Sequence, residues 1–167
     1  MDRELRQLLD EREIIGVVSD IGVSADRRDW QAVREAFAEE VLLDYSSMGA
    51  AVESLGPAEI VARWKALLPG FKMTQHAITN HRVSLSGDEA ECFSYVNAMH
   101  HLPNNSGDDT WQVMGRYEHH LVRTARGWKV DRMKFIVALT LGNDDLPNMA
   151  TDAVKASNLG GGNEENL

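Results

Sequence analysis

Apolar residues recur near helical spacing over residues 3–25, where Leu5, Leu8, Leu9, Ile14, Ile15, Val18 and Ile21 are separated by charges. A stripe of this kind predicts an amphipathic helix. Asp29 stands where a helix cap is expected, and WQAVREAFAEE behind it puts Trp30, Val33 and Phe37 on one helical face. VLLDYSS follows as a short strand, and Gly49 and Gly56 bracket a loop or hairpin. Pro57 suits the first turn of a third helix, AEIVARWKALL, with Ile60, Trp64 and Leu67 or Leu68 on one side until Pro69-Gly70 ends it.

From Met73 the period changes to two. MTQHAITNHRVSL, EAECFSYVNAMHHL, TWQVMGRYEHHLVR and GWKVDRMKFIVALTL read as long strands joined at SGD, PNNSGDD and TARG, which are turn signals. Helices followed by a meander predict an α+β domain, a curved antiparallel sheet with the N-terminal helices packed on its concave face. The domain is expected over residues 1–142. Residues 143–167 read as a polar tail, either mobile or carrying a short helix at ATDAVKAS.

Composition narrows the function. The 167 residues carry 17 Lys and Arg against 26 Asp and Glu, a formal charge of −9. No basic stripe is present, which argues against nucleic acid and anionic membrane as partners. Cys92 is the only cysteine, so an internal disulfide is excluded and a reducing, cytoplasmic setting is expected. The charged start MDRELRQLLDERE has no apolar signal core, and no apolar run approaches the roughly 20 residues of a membrane helix.

Alternation places Thr74, His76 and Ile78 on one face of their strand, and His100 with Ala90, Cys92, Ser94, Val96 and Ala98 on one face of the next. The second row is small, as a face bordering a ligand needs to be. Trp111, Val113, Gly115, Tyr117 and His119 share a face of the third strand. A neutral imidazole in an apolar pocket is a competent base when a carboxylate holds its tautomer, and Asp26 is the natural partner for His76. The plainer reading makes Asp26 a turn residue and His76 a satisfied core histidine. Tyr45 and Tyr117 can donate to an oxygen gaining charge, or simply pack. Met48 and Trp64 are wall or core residues, and as walls they favour a flat, apolar ligand. Six histidines prompt a metal hypothesis, but neither HExxH nor His-x-His occurs, so no metal is expected.

Several segments together resemble a known family: ADRRDW with Asp26, LDYSS with Tyr45, GPAEIVARW, TQHAITN with His76, NAMHH with His100, and MGRYEHHLVR with the following GW. The chain is similar, from about residue 10 to 142, to the SnoaL-like branch of the nuclear-transport-factor-two-like superfamily. Within it, the scytalone dehydratases and hexachlorocyclohexane dehydrochlorinases are the nearest likeness. The resemblance implies a cone-shaped pocket in which Asp26 orients His76 as base and acid in a syn elimination, while His100 and Tyr45 bind or polarise the substrate. The dehydratase pattern has a tyrosine where Ala25 stands and an asparagine near Tyr117, so scytalone itself is not implied as substrate.

The expectation is therefore a lyase or isomerase with no cofactor, acting on a small carbonyl or aromatic compound through His76 and Asp26. Tyr45, His100 or Tyr117 would steady the oxygen that gains charge. Two rivals share the fold: a non-catalytic ligand-binding module, and an epoxide-hydrolase-like enzyme holding a water with Asn80, Asn97 and Arg116. The sheet face away from the pocket is expected to carry Phe93, Tyr95 and Trp111 or their neighbours, and so to form a homo-oligomer, either dimer or trimer.

Overall fold

A computed structural model describes residues 2–160. Helix α1 (Arg3–Arg27) starts at Asp2, whose carboxylate accepts from the Glu4 N–H, and ends at Arg28 in the left-handed conformation. Its Ile14, Val18, Ile21 and Ala25 are buried, whereas Leu5, Leu8 and Leu9 on the early turns stay exposed. Only the second half of the predicted stripe has a sheet beneath it.

Helix α2 (Trp30–Glu35) is capped by Asp29 as expected, but it is one and a half turns long rather than three. Phe37 is not on its face. It opens strand β1 (Phe37–Asp44), where Phe37, Val41 and Leu43 point into the core. The expected helix fails here because long-range pairing wins: Phe37 lies beside Val130 far along the chain. Strand β1 forms a hairpin with β2 (Val52–Leu55) around Gly49, whose φ of 81° suits glycine. Helix α3 (Pro57–Lys65) begins at Pro57 as expected and is followed by a 3₁₀ turn, Leu68–Gly70.

Strands β3 (Met73–Ser86), β4 (Glu89–His101), β5 (Thr110–Thr124) and β6 (Gly127–Gly142) form the antiparallel meander. The six-stranded sheet is curved and unclosed, in the order β2-β1-β6-β5-β4-β3. Its β1–β6 pairing is parallel, a departure from the all-antiparallel expectation. The helices lie on the concave face, so the α+β class holds.

Trp111 belongs to the concave face, not the outer one, because it sits directly across from His100. The outer face instead carries Phe93, Tyr95, Leu139 and Leu141, with the last three exposed. Helix α4 (Leu146–Gly160) occupies most of the expected tail, starts earlier than ATDAVKAS, and buries Leu146 and Ala150 completely. It approaches the 3₁₀ turn so closely that a Cβ on Gly70 would lie 1.9 Å from the Ala150 carbonyl oxygen. Residues 161–167 of the expected tail lie outside the described residues.

The far end of α1 is anchored by Asp10, which accepts a forked pair from Arg123 at 2.8 and 2.6 Å and one bond from the Trp128 indole at 3.3 Å. Arg123 also lies over the Trp128 ring. These bonds hold the helix at one end of the sheet, and the site is built at the other.

Candidate active site

Gly22 sets the approach of α1 to β3. A Cβ there would stand 2.9 Å from Ile78 Cδ1 and 3.1 Å from His76 Cβ, so any larger residue would press directly on the His76 side chain. Asp26 lies one turn further on the same helix face and reaches β3 with both oxygens. Oδ1 is 2.7 Å from His76 Nδ1, and Oδ2 accepts the His76 backbone N–H at 2.7 Å. The Thr74 hydroxyl donates to Oδ1 at 2.8 Å. Burial works to raise the Asp26 pKa, but the bonds from the His76 ring, the His76 N–H and Thr74 outweigh it and hold the carboxyl below its ordinary value. An ionised Asp26 can only accept, so it takes a hydrogen bond from His76 Nδ1–H, and His76 Nε2 has no hydrogen-bond partner among the described residues.

Arg28 supports this arrangement. Its backbone is left-handed at φ 60°, uncommon for a residue other than glycine, and it sends the guanidinium back across the helix end. Nη1 donates to Thr74 Oγ1 at 2.9 Å and to the Ala25 carbonyl at 2.7 Å, and Nη2 donates to the Leu68 carbonyl at 2.5 Å. With its lone pair engaged by Arg28, the Thr74 oxygen turns its proton towards Asp26. A chain of bonds thus runs from Leu68 through Arg28, Thr74 and Asp26 to His76.

His76 forms part of the wall of a cavity of about 340 Å³ between the helices and the concave face, with Asp26 behind it. Leu43, Ile78, Val113, Met133 and Phe135 give it an apolar lining, and Tyr45, Met48, Trp64, His100 and Tyr117 border it too. The His100 ring meets His76 edge-on at 5.5 Å between centroids. His100 Nδ1 lies 3.2 Å from the Trp111 carbonyl, which can only accept, so Nδ1 carries the proton. Burial and the neighbouring His76 push the His100 pKa down to about 4. His100 is therefore a neutral acceptor at Nε2, which makes it unsuited to steadying a developing oxyanion. The phenols are suited. Burial raises Tyr117 to about 12, and burial together with Tyr117 raises Tyr45 well above its ordinary value, so both keep their protons as donors.

A family model described as a SnoaL-like domain matches residues 6–134. The chain belongs to the SnoaL-like family. No curated protein matches it. Among solved structures, this SnoaL-like domain is similar to a candidate aromatic ring hydroxylase from Novosphingobium aromaticivorans, with 26% identity, TM-score 0.71 and coverage of 84% of this chain and 97% of that one. It is also similar in fold to a candidate scytalone dehydratase from the same species (20%, TM-score 0.68, 81% and 88% covered). A hexachlorocyclohexane dehydrochlorinase from Novosphingobium barchaimii shares the fold likewise (16%, TM-score 0.68, 84% and 94% covered).

The SnoaL-like cavity brings together all seven residues singled out in the sequence: six border it directly, and Asp26 stands behind His76. The water-holding set does not assemble. Asn80 is exposed at a bulge in β3, Asn97 bonds Gln112, and Arg116 pairs with Glu118, all outside the cavity. Sequence reasoning missed Gly22, Arg28 and Thr74. The spacing of Gly22 and Asp26, one turn apart, and the placement of Thr74 on the His76 face were available signals. The left-handed turn at Arg28 leaves no mark in residue type.

Proposed function

We propose that this protein is a lyase of the dehydratase type, or a related isomerase, that needs no cofactor and acts on a small cyclic carbonyl or aromatic compound. The observation that carries the reading is the half-buried, three-bonded Asp26 holding His76 with a free Nε2 on the wall of an apolar cavity. His76 Nε2 takes a proton from the carbon next to the carbonyl. The electron pair forms the new carbon–carbon double bond as the carbon–oxygen bond breaks, and His76 returns the proton to the leaving hydroxyl as water. Tyr45 and Tyr117 donate to the carbonyl oxygen as it gains charge, while His100 Nε2 accepts from a substrate hydroxyl. The dyad is already within hydrogen-bond reach, which supports catalysis over a passive ligand carrier. Ring compounds figure in the names of two of the similar structures, an aromatic ring in one and hexachlorocyclohexane in the other. Association of copies through the outer face is part of the reading, supported by exposed Tyr95, Leu139 and Leu141.

The test is turnover of a panel of cyclic β-hydroxyketones, followed by the ultraviolet absorbance of the conjugated product. His76→Gln and Asp26→Asn are expected to lower kcat by about 10²-fold or more, the usual scale for loss of a positioned base, with Tm little changed for His76→Gln. Full activity in both variants on any substrate found would refute the dyad.

A further inference from the structure

His119 is out of keeping with the core around it. It is 1% exposed, yet neither ring nitrogen has a hydrogen-bond partner among the described residues. Burial and the nearby His81 push its pKa down to about 3, so the ring is neutral, with one N–H and one bare nitrogen both unmet. A buried polar group left in this state is costly, and leucine or methionine would fill the space without the cost. Ser94 adds to the anomaly. Its hydroxyl is fully buried and has no partner among the described residues, and it lies across from Tyr117 on the same concave face.

Two further facts point to a ligand. The His119 ring forms part of the cavity wall. It also stands far from the dyad: His76 pairs with Ala98 and Ala98 with Val113, and His119 is six positions beyond Val113 on β5. At about 3.3 Å per residue that is roughly 20 Å along the strand, less across the curved face. The cavity thus has a polar pole at each end, His76 with His100 at one and His119 at the other, with Tyr117 between them, its ring 5.1 Å from that of His119 between centroids. Ile78, Leu43 and Met133 make the wall apolar besides.

We propose that His119 anchors the far end of the substrate, accepting from a hydroxyl or donating to a carbonyl remote from the reacting carbon. The ligand class is then a cyclic or fused-ring molecule carrying oxygen functions at both ends, not a singly substituted one. The assignment of the reacting end rests on the reading of His76 as base, but the anchoring itself does not.

The experiment compares the affinities of 2-tetralone and 6-hydroxy-2-tetralone by calorimetry, with the wild type and with His119→Leu. The remote hydroxyl is expected to tighten binding to the wild type about tenfold or more. His119→Leu should erase that gain while binding 2-tetralone within about threefold of wild type, and its Tm should rise, since an unmet polar group is gone. In the wild type alone, the His119 ring ¹⁵N resonances should move with the hydroxylated probe and not with 2-tetralone, which keeps the test independent of how the variant folds. Equal affinities for both probes would mean that His119 is served by a resident water and would overturn the proposal. So would a gain that survives in His119→Leu, or failure of both probes to bind at millimolar concentration. If His76 is not the base, His76→Gln keeps its turnover while the hydroxyl gain persists, so the two readings fail separately.

Discussion

Thr74→Val removes one hydroxyl and almost no volume. In the wild type that hydroxyl donates to Asp26 and accepts from Arg28. A hydrogen bond to a charged group is worth about 1.5–3 kcal/mol, and the lower end applies because the Asp26 side chain is 18% exposed, leaving water room to substitute. Arg28 keeps its two carbonyl acceptors, so little is added on that side. A loss of about 1.5 kcal/mol lowers Tm by about 3–6 °C in a chain of this size. If most of it is felt as looser His76 orientation, kcat/KM falls about threefold to tenfold, since about 1.4 kcal/mol is one decade. The pH dependence is diagnostic. Asp26 is held below its unfolded pKa, so its stabilising contribution is present above the unfolded value and lost as pH falls through the folded one. Without the Thr74 donor, the folded pKa rises towards the unfolded one. The Tm gap between Thr74→Val and wild type should therefore be full near pH 7 and close below about pH 4. Thermal scans from pH 3 to 8 and steady-state kinetics supply the assay, with Thr74→Ser as the restoring control. Equal Tm and kcat/KM within about twofold at pH 7, or a gap that widens in acid, would refute the reasoning.

Gly22→Ala should gain helix propensity yet wedge α1 off β3, so activity falls much further than Tm does; kcat/KM beside a melting curve separates the two. Asp10→Asn weakens the forked acceptance from Arg123, which is the main reason the Asp10 pKa is lowered, and should cost several degrees of Tm at pH 7. That loss should shrink as pH falls through the lowered carboxyl pKa, whereas the titration behaviour of the cavity stays unchanged.

The parts legible in the sequence were those whose cause is local. Asp29 caps its helix, Pro57 opens one, and period-two runs from Met73 onward make strands, because each depends on neighbouring residues alone. Alternation also put His76, His100 and Tyr117 on the correct faces. Phe37 was misread because its spacing from Trp30 and Val33 suits a helix, and only the remote partner Val130 decides for a strand. Trp111 was misjudged for a related reason: its position across from His100 depends on register between strands, which residue pattern alone leaves open. The support of the dyad was least visible. Arg28 acts through a backbone conformation seldom used by arginine, and Leu68 contributes only its carbonyl.

The parallel pairing of β1 with β6 has a consequence for the chain as it leaves the ribosome. Strand β1 and its hairpin partner are synthesised early, but the neighbour that completes them is the last strand of the sheet. Until β6 clears the exit tunnel, the edge of β1 that pairs with it lies open. Pairings this distant in sequence form slowly, and exposed apolar strand edges are sites of aggregation. The interval between synthesis of β1 and of β6 is when this nascent chain is most exposed to aggregation, and His76 and Asp26 meet in a finished pocket only after that interval has closed.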